Sequence, residues 1–416
     1  MAEIDIPYGE DEKIKLNIPD KNLAGVVDPN KVEIGDERET LYNAINDPIN
    51  SKTFREFLSD AKDVLFIVND ATRPTPTAKV LELLYDDIKD INLKFIIATG
   101  IHREPTENEY KFIFGQHLDD FRDRIYSHDA KKDEDMVHIG TSKNGTEMYV
   151  NKMAVDAHKL VIIGSVEPHY FGGYTGGRKA FLPGIASYQT IEQNHKYALK
   201  PSSKTLALEG NPVHEDMVDA IKTIHDKEIF SIMTVLDRDH KLYAATAGHL
   251  NDSFYAAIDK ANDVFCVKVD GKADVVITVA PYPMDIDLYQ SQKALETAKL
   301  ALNEGGTIIL VSKCRTGVGH DSFVQLMSSY NTPEKTLDHI KDTYVIGYHK
   351  AAKMAEIALW AKMKAYTSID DEIIKSIFME PVHDLQAEID KLIDEYGEDT
   401  NILILTNGSI TVPMLD

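Results

Sequence analysis

The sequence has little cysteine and few positive charges for its length. Cys266 and Cys314 are the only cysteines among 416 residues, which excludes a disulfide scaffold and a cysteine-rich metal site and fits a reducing compartment. Lysine and arginine number 45 against 68 aspartates and glutamates, a formal net charge of −23, and such a surface repels nucleic acids and anionic lipids. Runs of membrane-spanning length and a secretory leader are also lacking. We therefore expect a cytoplasmic protein without nucleic-acid or membrane partners.

Short apolar runs alternate with helical patterns along the first part of the chain. The runs at 63–70, 93–100 and 159–166 are rich in Val, Ile and Leu without alternation, as is typical of strands buried on both faces. Between the first two, residues 77–90 carry apolar side chains at helical spacing. This βαβ order predicts a mostly parallel sheet.

The same order returns in the last third of the chain. Strands are predicted at 273–280, 307–314 and 401–408, and helices at 288–306 and 348–364. We therefore predict an α/β protein with two α/β domains, mostly parallel sheets and an active-site cleft between the domains. The predicted domains are residues 1–262 and 263–416.

Unusual polar residues follow four of the predicted strands. In open α/β sheets, ligands bind beyond the carboxyl ends of the strands, so these residues predict one site. The residues after the strands are Asp70 and Arg73, then His102, then Glu167, His169, Arg178 and Lys179, and finally Tyr289, Gln290 and Lys293.

The segment "HYFGGYTGGRKAFLPG" at 169–184 predicts a phosphate-binding loop. Gly172 and Gly177 have the separation of a Walker A motif, and Gly173 and Gly176 lie between them. Arg178 stands where that motif requires lysine, and alanine follows Lys179 where magnesium would need a hydroxyl. The loop therefore suits a phosphate other than that of ATP.

Residue types alone leave several roles open. His102 and His169 can be acid/base groups or packing residues, and His195 looks like an ordinary helix histidine. Arg73 can hold a carboxylate or stabilise a turn. Lys179 can attract a phosphate or form a covalent attachment.

Five segments together resemble the nickel-dependent lactate racemase family. They are "DATRPTPT", "ATGIHREPT", "EPHYFGGYTGGRKAFLPGI", "NH" at 194–195 and "YPMDIDLYQSQK", and they span residues 70–293. The resemblance implies a racemase or epimerase that interconverts D- and L-2-hydroxy acids, with lactate as the family default. Hydride would pass to a covalently attached nickel-pincer nucleotide, the nickel complex of pyridinium-3-thioamide-5-thiocarboxylic acid mononucleotide, leaving a 2-oxo acid intermediate.

The resemblance also implies a role for each site residue. Lys179 would carry the cofactor through a thioamide, and His195 would bind nickel. His102 and His169 would be the acid/base pair of the N-terminal domain. The cofactor would also contact Asp70, Arg73, Gly172, Gly173, Gly176, Gly177 and Arg178. The substrate would contact Arg73, Tyr289, Gln290 and Lys293.

The implied partners are a small 2-hydroxy acid and the proteins that make the cofactor, whereas the preferred acid and the oligomeric state stay open. Three other functions compete with this interpretation. A P-loop hydrolase conflicts with the residues at 178 and 180, and a nicotinamide-dependent 2-hydroxyacid dehydrogenase would need a G-x-G-x-x-G motif opening a helix. A nucleotide- or carboxylate-binding protein would not need two histidines and a lysine beside the glycine loop.

Overall fold

The chain folds into two units, in a computed structural model that describes residues 1–222, 224, 227–319 and 321–415. The central unit is Lys31–Val264, and the terminal unit combines Met1–Asn30 with Phe265–Asp416. The first 30 residues were predicted to belong to the N-terminal domain, whereas here they join the C-terminal half. Within the described ranges, no helix is both long enough and apolar enough to cross a membrane.

Strands occur along the whole chain, and most of them are short. In chain order they are β1 (Ala2–Tyr8), β2 (Glu12–Ile18), β3 (Leu23–Val27), β4 (Val64–Asn69), β5 (Leu93–Ala98), β6 (Ile125–Ser127), β7 (Met136–Thr141), β8 (Glu147–Asn151), β9 (Lys159–Ser165), β10 (Pro168–His169), β11 (Gly173–Tyr174), β12 (Glu228–Leu236), β13 (Leu242–Gly248), β14 (Cys266–Val269), β15 (Ala273–Val279), β16 (Leu302–Val311), β17 (Lys362–Tyr366), β18 (Glu380–Pro381), β19 (Ile402–Leu405) and β20 (Val412–Leu415).

Helices connect these strands and cover the sheets. They are α1 (Glu37–Asn46), α2 (Phe54–Leu58), α3 (Thr77–Ile88), α4 (Glu107–Phe114), α5 (Leu118–Phe121), α6 (Lys152–Asp156), α7 (Tyr188–Lys196), α8 (Pro212–Lys222), α9 (Leu250–Phe265), α10 (Leu288–Ser291), α11 (Lys293–Ala298), α12 (Asp321–Ser329), α13 (Pro333–Asp342), α14 (Tyr348–Ala358), α15 (Asp371–Ser376) and α16 (Leu385–Tyr396). A 3-10 turn at Gly177–Ala180 lies in the glycine-rich segment.

The central unit is built on a six-stranded sheet in the order β13-β12-β9-β4-β5-β6. All neighbours are parallel except β13, which pairs antiparallel with β12. The apolar side chains of β4 and β9 are buried along nearly the whole strand, because helices cover both faces of a sheet of this kind. Strands β4, β5 and β9 confirm the three predicted between residues 63 and 166, and their carboxyl ends meet at one edge.

The terminal unit contains a second six-stranded sheet, β18-β17-β16-β15-β19-β3, in which every pair is parallel. Strand β3 pairs with β19, and this pairing draws the first 30 residues into the terminal unit. The β1–β2 hairpin packs its apolar side chains Ile6 and Leu16 into the same core.

Two predicted helices of the terminal unit are shorter than expected. The helix predicted at 288–306 divides into α10 and α11, and β16 already begins at Leu302 because Leu302 pairs with Ala273 of β15. The helix predicted at 348–364 ends at Ala358, since Lys362 pairs with Thr307 of β16. In both places, pairing with a neighbouring strand replaces the last helical turns.

Candidate active site

Side chains from neighbouring strand ends contact each other at the carboxyl edge of the central sheet. The loop after β4 carries Asp70, whose Oδ2 lies 2.7 Å from Nδ1 of His102 in the loop after β5. The same β4 loop carries Arg73, whose Nη1 donates to Oε1 of Glu167 after β9 at 2.7 Å. The parallel sheet therefore brings together residues that are 32 and 94 positions apart in sequence.

The Asp70–His102 pair joins a buried carboxylate to an exposed imidazole. The side chain of Asp70 is 9% exposed and that of His102 is 49% exposed. Burial alone would raise the pKa of Asp70, but hydrogen bonds from His102 and Thr72 and the charge of Arg73 outweigh it and hold that pKa below its ordinary value. Because the Asp70 carboxylate engages Nδ1, Nε2 is the nitrogen of His102 that remains for proton transfer.

Arg73 already has a carboxylate partner within the protein. Its side chain is 26% exposed and that of Glu167 is 18% exposed. The backbone of Glu167 is fixed in turn by two hydrogen bonds with Thr175, one of which is donated to the Thr175 hydroxyl at 3.0 Å. The sequence placed Glu167 at a strand end but did not indicate that it orients Arg73.

The glycine-rich segment forms a tight hairpin, β10–β11, at the end of β9. The backbone N–H of Gly172 donates to Nδ1 of His169 at 3.1 Å. A Cβ on Gly173 would lie 2.2 Å from the carbonyl oxygen of Ala207, and its φ is +76°, so only glycine fits there. A Cβ on Gly172 would lie 3.3 Å from Nδ1 of His169 and 3.6 Å from Nζ of Lys179, so a side chain at this position would crowd the imidazole and the ammonium group.

Arg178 stabilises this segment from inside. It is 2% exposed, and its guanidinium donates to the carbonyls of Gly172 at 2.7 Å and Tyr174 at 2.9 Å while lying 4.3 Å from the Phe254 ring centre. Burial lowers its pKa to about 9. Gly176, which is partly buried, and Gly177, which is buried, directly precede it. Arg178 thus contacts the loop backbone and the Phe254 ring, and the cofactor contact that the family resemblance implies stays a prediction.

Three of the predicted site residues surround one aromatic ring. Phe171 is 4% exposed. The His169 ring packs edge-on against it with centroids 4.6 Å apart, the His195 ring lies 5.2 Å away, and the Lys179 ammonium is 5.7 Å from its centroid. Residues from β10, from the 3-10 turn and from α7 therefore meet at Phe171, to which the sequence assigned no role.

His195 occupies the last turn of α7. Burial lowers its pKa to about 3, and the positive charge of Lys179 adds to this effect, so the imidazole is neutral at physiological pH. Its Nδ1 lies 3.2 Å from Oδ1 of Asn194. A neutral imidazole with one nitrogen engaged is the state that binds a metal ion.

The predicted substrate residues of the terminal unit begin at α10. Asp287 caps this helix, and its Oδ1 accepts from the backbone N–H of Gln290 at 2.7 Å. Burial and the charge of Asp287 raise the pKa of Tyr289 to about 12, so its hydroxyl stays protonated. Lys293 begins α11, one turn further along.

A buried lysine that the sequence did not single out lies beside Tyr289. Lys350, in the first turn of α14, is 4% exposed. Its ammonium donates to the carbonyl of Tyr289 and lies 3.5 Å from the centre of the Tyr289 ring. Burial and then the charge of Lys293 lower its pKa well below the ordinary value, while Asp287 opposes this. The α10 region therefore holds two neighbouring lysines.

Comparisons with known proteins match both halves of the chain. The family described as "Lactate racemase N-terminal domain" matches residues 8–206, and "Lactate racemase C-terminal domain" matches residues 268–412. Lactate racemase of Thermoanaerobacterium thermosaccharolyticum is 33% identical over 98% of each chain, and that of Lactiplantibacillus plantarum is 30% identical over 98% of this chain and 99% of its own.

Solved structures agree with these matches. The lactate racemase apoprotein of T. thermosaccharolyticum superposes with a TM-score of 0.92 at 32% identity, covering 99% of this chain and 100% of that one. A Thermotoga maritima protein, at 16% identity and a TM-score of 0.69, covers 92% of this chain and 100% of its own and shows the fold alone. The chain is an isomerase that belongs to the lactate racemase family.

Proposed function

We propose that the protein interconverts the D and L forms of a 2-hydroxy acid, with lactate as the first candidate, using a nickel-pincer nucleotide joined to Lys179. The observation that carries the proposal is the grouping of His169, Lys179 and His195 around Phe171, in the central unit whose sheet edge also carries the Asp70–His102 pair. The grouping combines an attachment point, a neutral metal ligand and two imidazoles. These are the parts that racemisation through a 2-oxo acid needs.

The residues fit the cofactor. The donor set needs one neutral imidazole, because the pincer group itself would supply sulfur, carbon and sulfur to nickel, and His195 is such an imidazole. Among the described residues, no group of three or more His, Cys, Asp or Glu side chains is arranged to hold a metal by itself. Gly172 lies against both the His169 ring and the Lys179 ammonium, so the absence of a side chain at this position lets the lysine and the imidazole approach each other.

The substrate chemistry explains why two bases are needed. The carboxylate of a 2-hydroxy acid disfavours removal of the C2 hydrogen as a proton, whereas its removal as hydride gives a planar 2-oxo acid that can be reduced on either face. When bound, the nickel-pincer nucleotide supplies the hydride acceptor and donor. The chain supplies the proton transfer at the hydroxyl group, and His102 and His169 are proposed to act on the two enantiomers.

The two histidines are held differently. Asp70 accepts from Nδ1–H of His102, so Nε2 of a neutral His102 carries the lone pair and can take the hydroxyl proton. Gly172 donates to Nδ1 of His169, so a neutral His169 carries its proton on Nε2 and presents a donor. In this arrangement His102 can take the hydroxyl proton of one enantiomer, and for His169 to take that of the other its own proton must lie on Nδ1, where it replaces the hydrogen bond from Gly172.

The remaining site residues are proposed to bind charges. Arg73, oriented by Glu167, would hold the substrate carboxylate as a bidentate partner, and Tyr289, Gln290 and Lys293 would add donors to it. Asp70 acts through His102. Loading would depend on the proteins that make the nickel-pincer nucleotide.

The deciding experiment is loading followed by mass and metal analysis. The full chain is produced together with the cofactor-making proteins, and nickel content, intact mass and racemisation of each lactate enantiomer are measured. We expect bound nickel, added mass on the peptide that contains Lys179, and interconversion of the enantiomers. Other 2-hydroxy acids tested in parallel identify the preferred substrate.

Lys179→Ala should abolish both the added mass and the activity. Lys196→Ala, which removes an exposed lysine from α7, is the matched control and should keep both. Full activity in Lys179→Ala, or added mass on a different peptide, would refute the attachment.

A further inference from the structure

His195 is the first member of a buried hydrogen-bonded chain of side chains. Its Nδ1 lies 3.2 Å from Oδ1 of Asn194. The amide nitrogen Nδ2 of Asn194 donates to Oδ2 of Asp216 at 3.1 Å and to the carbonyl of Val213 at 3.1 Å. The hydroxyl of Ser142 donates to Oδ1 of the same aspartate.

The direction of every bond in this chain is fixed by chemistry. A backbone carbonyl and a carboxylate only accept, so the Asn194 NH₂ must face Val213 and Asp216 and its Oδ1 must face His195. An amide oxygen also only accepts, so Nδ1 of His195 must be the donor. Nε2 of the neutral ring therefore carries the lone pair.

The direction of the hydrogen bond between Ser142 and Asp216, at the other end of the chain of side chains, is fixed as well. The Ser142 hydroxyl oxygen accepts from the backbone N–H of Thr146 at 3.0 Å, which leaves the hydroxyl hydrogen for Asp216. Asn194 and Asp216 are 0% exposed, and Ser142 is 7% exposed. Buried bonds of this kind are costly to reverse, because reversal leaves an unsatisfied polar group in a region of low dielectric constant.

We propose that Asp216, through Asn194, is a positioning residue that fixes the tautomer and ring orientation of His195, so that Nε2 is presented to nickel. The inference rests on the proposed role of His195 as the nickel ligand. This chain of hydrogen bonds joins three parts of the structure. Ser142 follows β7, Asn194 and His195 lie on α7, and Asp216 lies on α8. The metal ligand is therefore set by the packing of α7 against α8 before any cofactor arrives.

A second buried histidine, His128, has the opposite tautomer and can serve as an internal reference. His128 is buried, its Nε2 lies 2.9 Å from the carbonyl oxygen of Ala186, and its Nδ1 faces the Asn151 amide nitrogen at 3.4 Å. The carbonyl requires a donor, so His128 carries its proton on Nε2. One spectrum can therefore compare both tautomers.

The first measurement is made on the full-length apoprotein. Long-range ¹H–¹⁵N correlation spectra of histidine-labelled protein distinguish a protonated from an unprotonated ring nitrogen, and His195→Gln and His128→Gln assign the two signals. We expect Nδ1–H for His195 and Nε2–H for His128. In Asp216→Asn, which keeps the shape but allows the Asn194 amide to turn, we expect His195 to lose its single tautomer and His128 to keep its own.

The second measurement is nickel retention after loading and dialysis. Asp216→Asn should lower retention about 10- to 100-fold, the usual effect of removing a residue that orients a metal ligand. Asn151→Ala is the control, because it also changes a buried polar side chain in the surroundings of a histidine, in this case His128. It should retain nickel as the unsubstituted protein does, even where its melting temperature falls.

Altered tautomer together with lower retention in Asp216→Asn supports the proposal. An Nε2–H tautomer in unsubstituted His195 overturns it, and so does any Asp216→Asn protein that changes only one of the two readouts or neither. Normal nickel retention in His195→Gln would instead refute the metal-ligand role, while the tautomer of the unsubstituted apoprotein would still test the Asp216–Asn194 chain separately.

Discussion

Nδ1 of His102 lies 2.7 Å from Oδ2 of Asp70, and this contact makes the aspartate the group that decides which nitrogen of His102 is basic. Replacing Asp70 by Asn allows the other tautomer. We expect kcat of Asp70→Asn to fall by about 10²- to 10⁴-fold, the usual weight of a positioned general base. Steady-state rates from both lactate enantiomers measure this, with the exposed Asp90→Asn as control. A fall of less than threefold would contradict the role.

Acid stability gives an independent test of the same pair. The pKa of Asp70 is lower in the folded protein than its ordinary value of 3.8, so the unfolded chain binds more protons as the pH falls through that range. The stabilisation by the ionised pair is complete above the ordinary pKa and is lost as the pH falls below it towards the folded value. The difference in unfolding free energy between the unsubstituted protein and Asp70→Asn should therefore shrink below about pH 4. Urea unfolding at several pH values measures it.

Replacement of either acid/base histidine should slow racemisation in both directions, by about 10²- to 10⁴-fold, because each direction needs one base and one acid. The equilibrium between enantiomers cannot change. A half-reaction can survive: His102→Ala should form the 2-oxo acid from one enantiomer only, and His169→Ala from the other. Single-turnover trapping from each pure enantiomer tests this, and the same preference in both variants would show that the histidines do not act on opposite faces.

Two adjacent glycines should respond differently to alanine. In Gly173→Ala the new Cβ would lie 2.2 Å from a backbone oxygen at a φ of +76°, so we expect a loss of more than about 1 kcal/mol in unfolding free energy. In Gly172→Ala the nearest atoms are 3.3 Å and 3.6 Å away, on His169 and Lys179. That variant should fold normally but load less cofactor. Thermal unfolding and intact mass measure the two effects, and equal destabilisation would contradict them.

Because of Lys350, the free energy of unfolding should change with pH in the alkaline range. Its folded-state pKa lies well below the ordinary 10.5 because of burial and the charge of Lys293, so the unfolded chain binds more protons between these values and stability rises with pH there. Lys350→Met removes this rise, whereas Lys362→Met, at an exposed lysine, should keep it. Denaturant unfolding at several pH values between 7 and the ordinary pKa measures how steeply the free energy of unfolding rises with pH. A parallel slope in Lys350→Met would contradict the prediction.

Much of the fold could be predicted because buried parallel strands have a simple signature. The continuous apolar runs predicted β4, β5, β9, β15 and β19. The polar residues after these strands indicated that the loops around His102 and His169 belong to the site. The divided helix at α10 and α11 could not be predicted, since the choice between helix and strand near Leu302 depends on pairing with Ala273, 29 residues away in sequence.

The supporting side chains of the site could not be predicted for a related reason. The sequence indicated only that Glu167 follows a strand, and it gave Phe171 no role. The packing of the loops shows that Glu167 orients Arg73 and that Phe171 contacts two histidines. His195 resembles any helix histidine until its neighbour Asn194 is seen to face Asp216. Lysine is usually a surface residue, so the sequence did not indicate that Lys350 is buried; its burial results from tertiary packing.

The pairing of β3 with β19 has a consequence for synthesis on the ribosome. The paired residues, such as Leu23 and Ile402, are 378 or 379 positions apart in sequence, and during synthesis on the ribosome domains generally fold as units. The whole central unit has been synthesised by Val264, whereas the edge strand near the amino terminus must wait until Ile402–Leu405 has left the exit tunnel. The nascent chain therefore carries a complete central unit while β3 is still unpaired, and the parallel sheet of the terminal unit gains this edge strand only after β19 has been made.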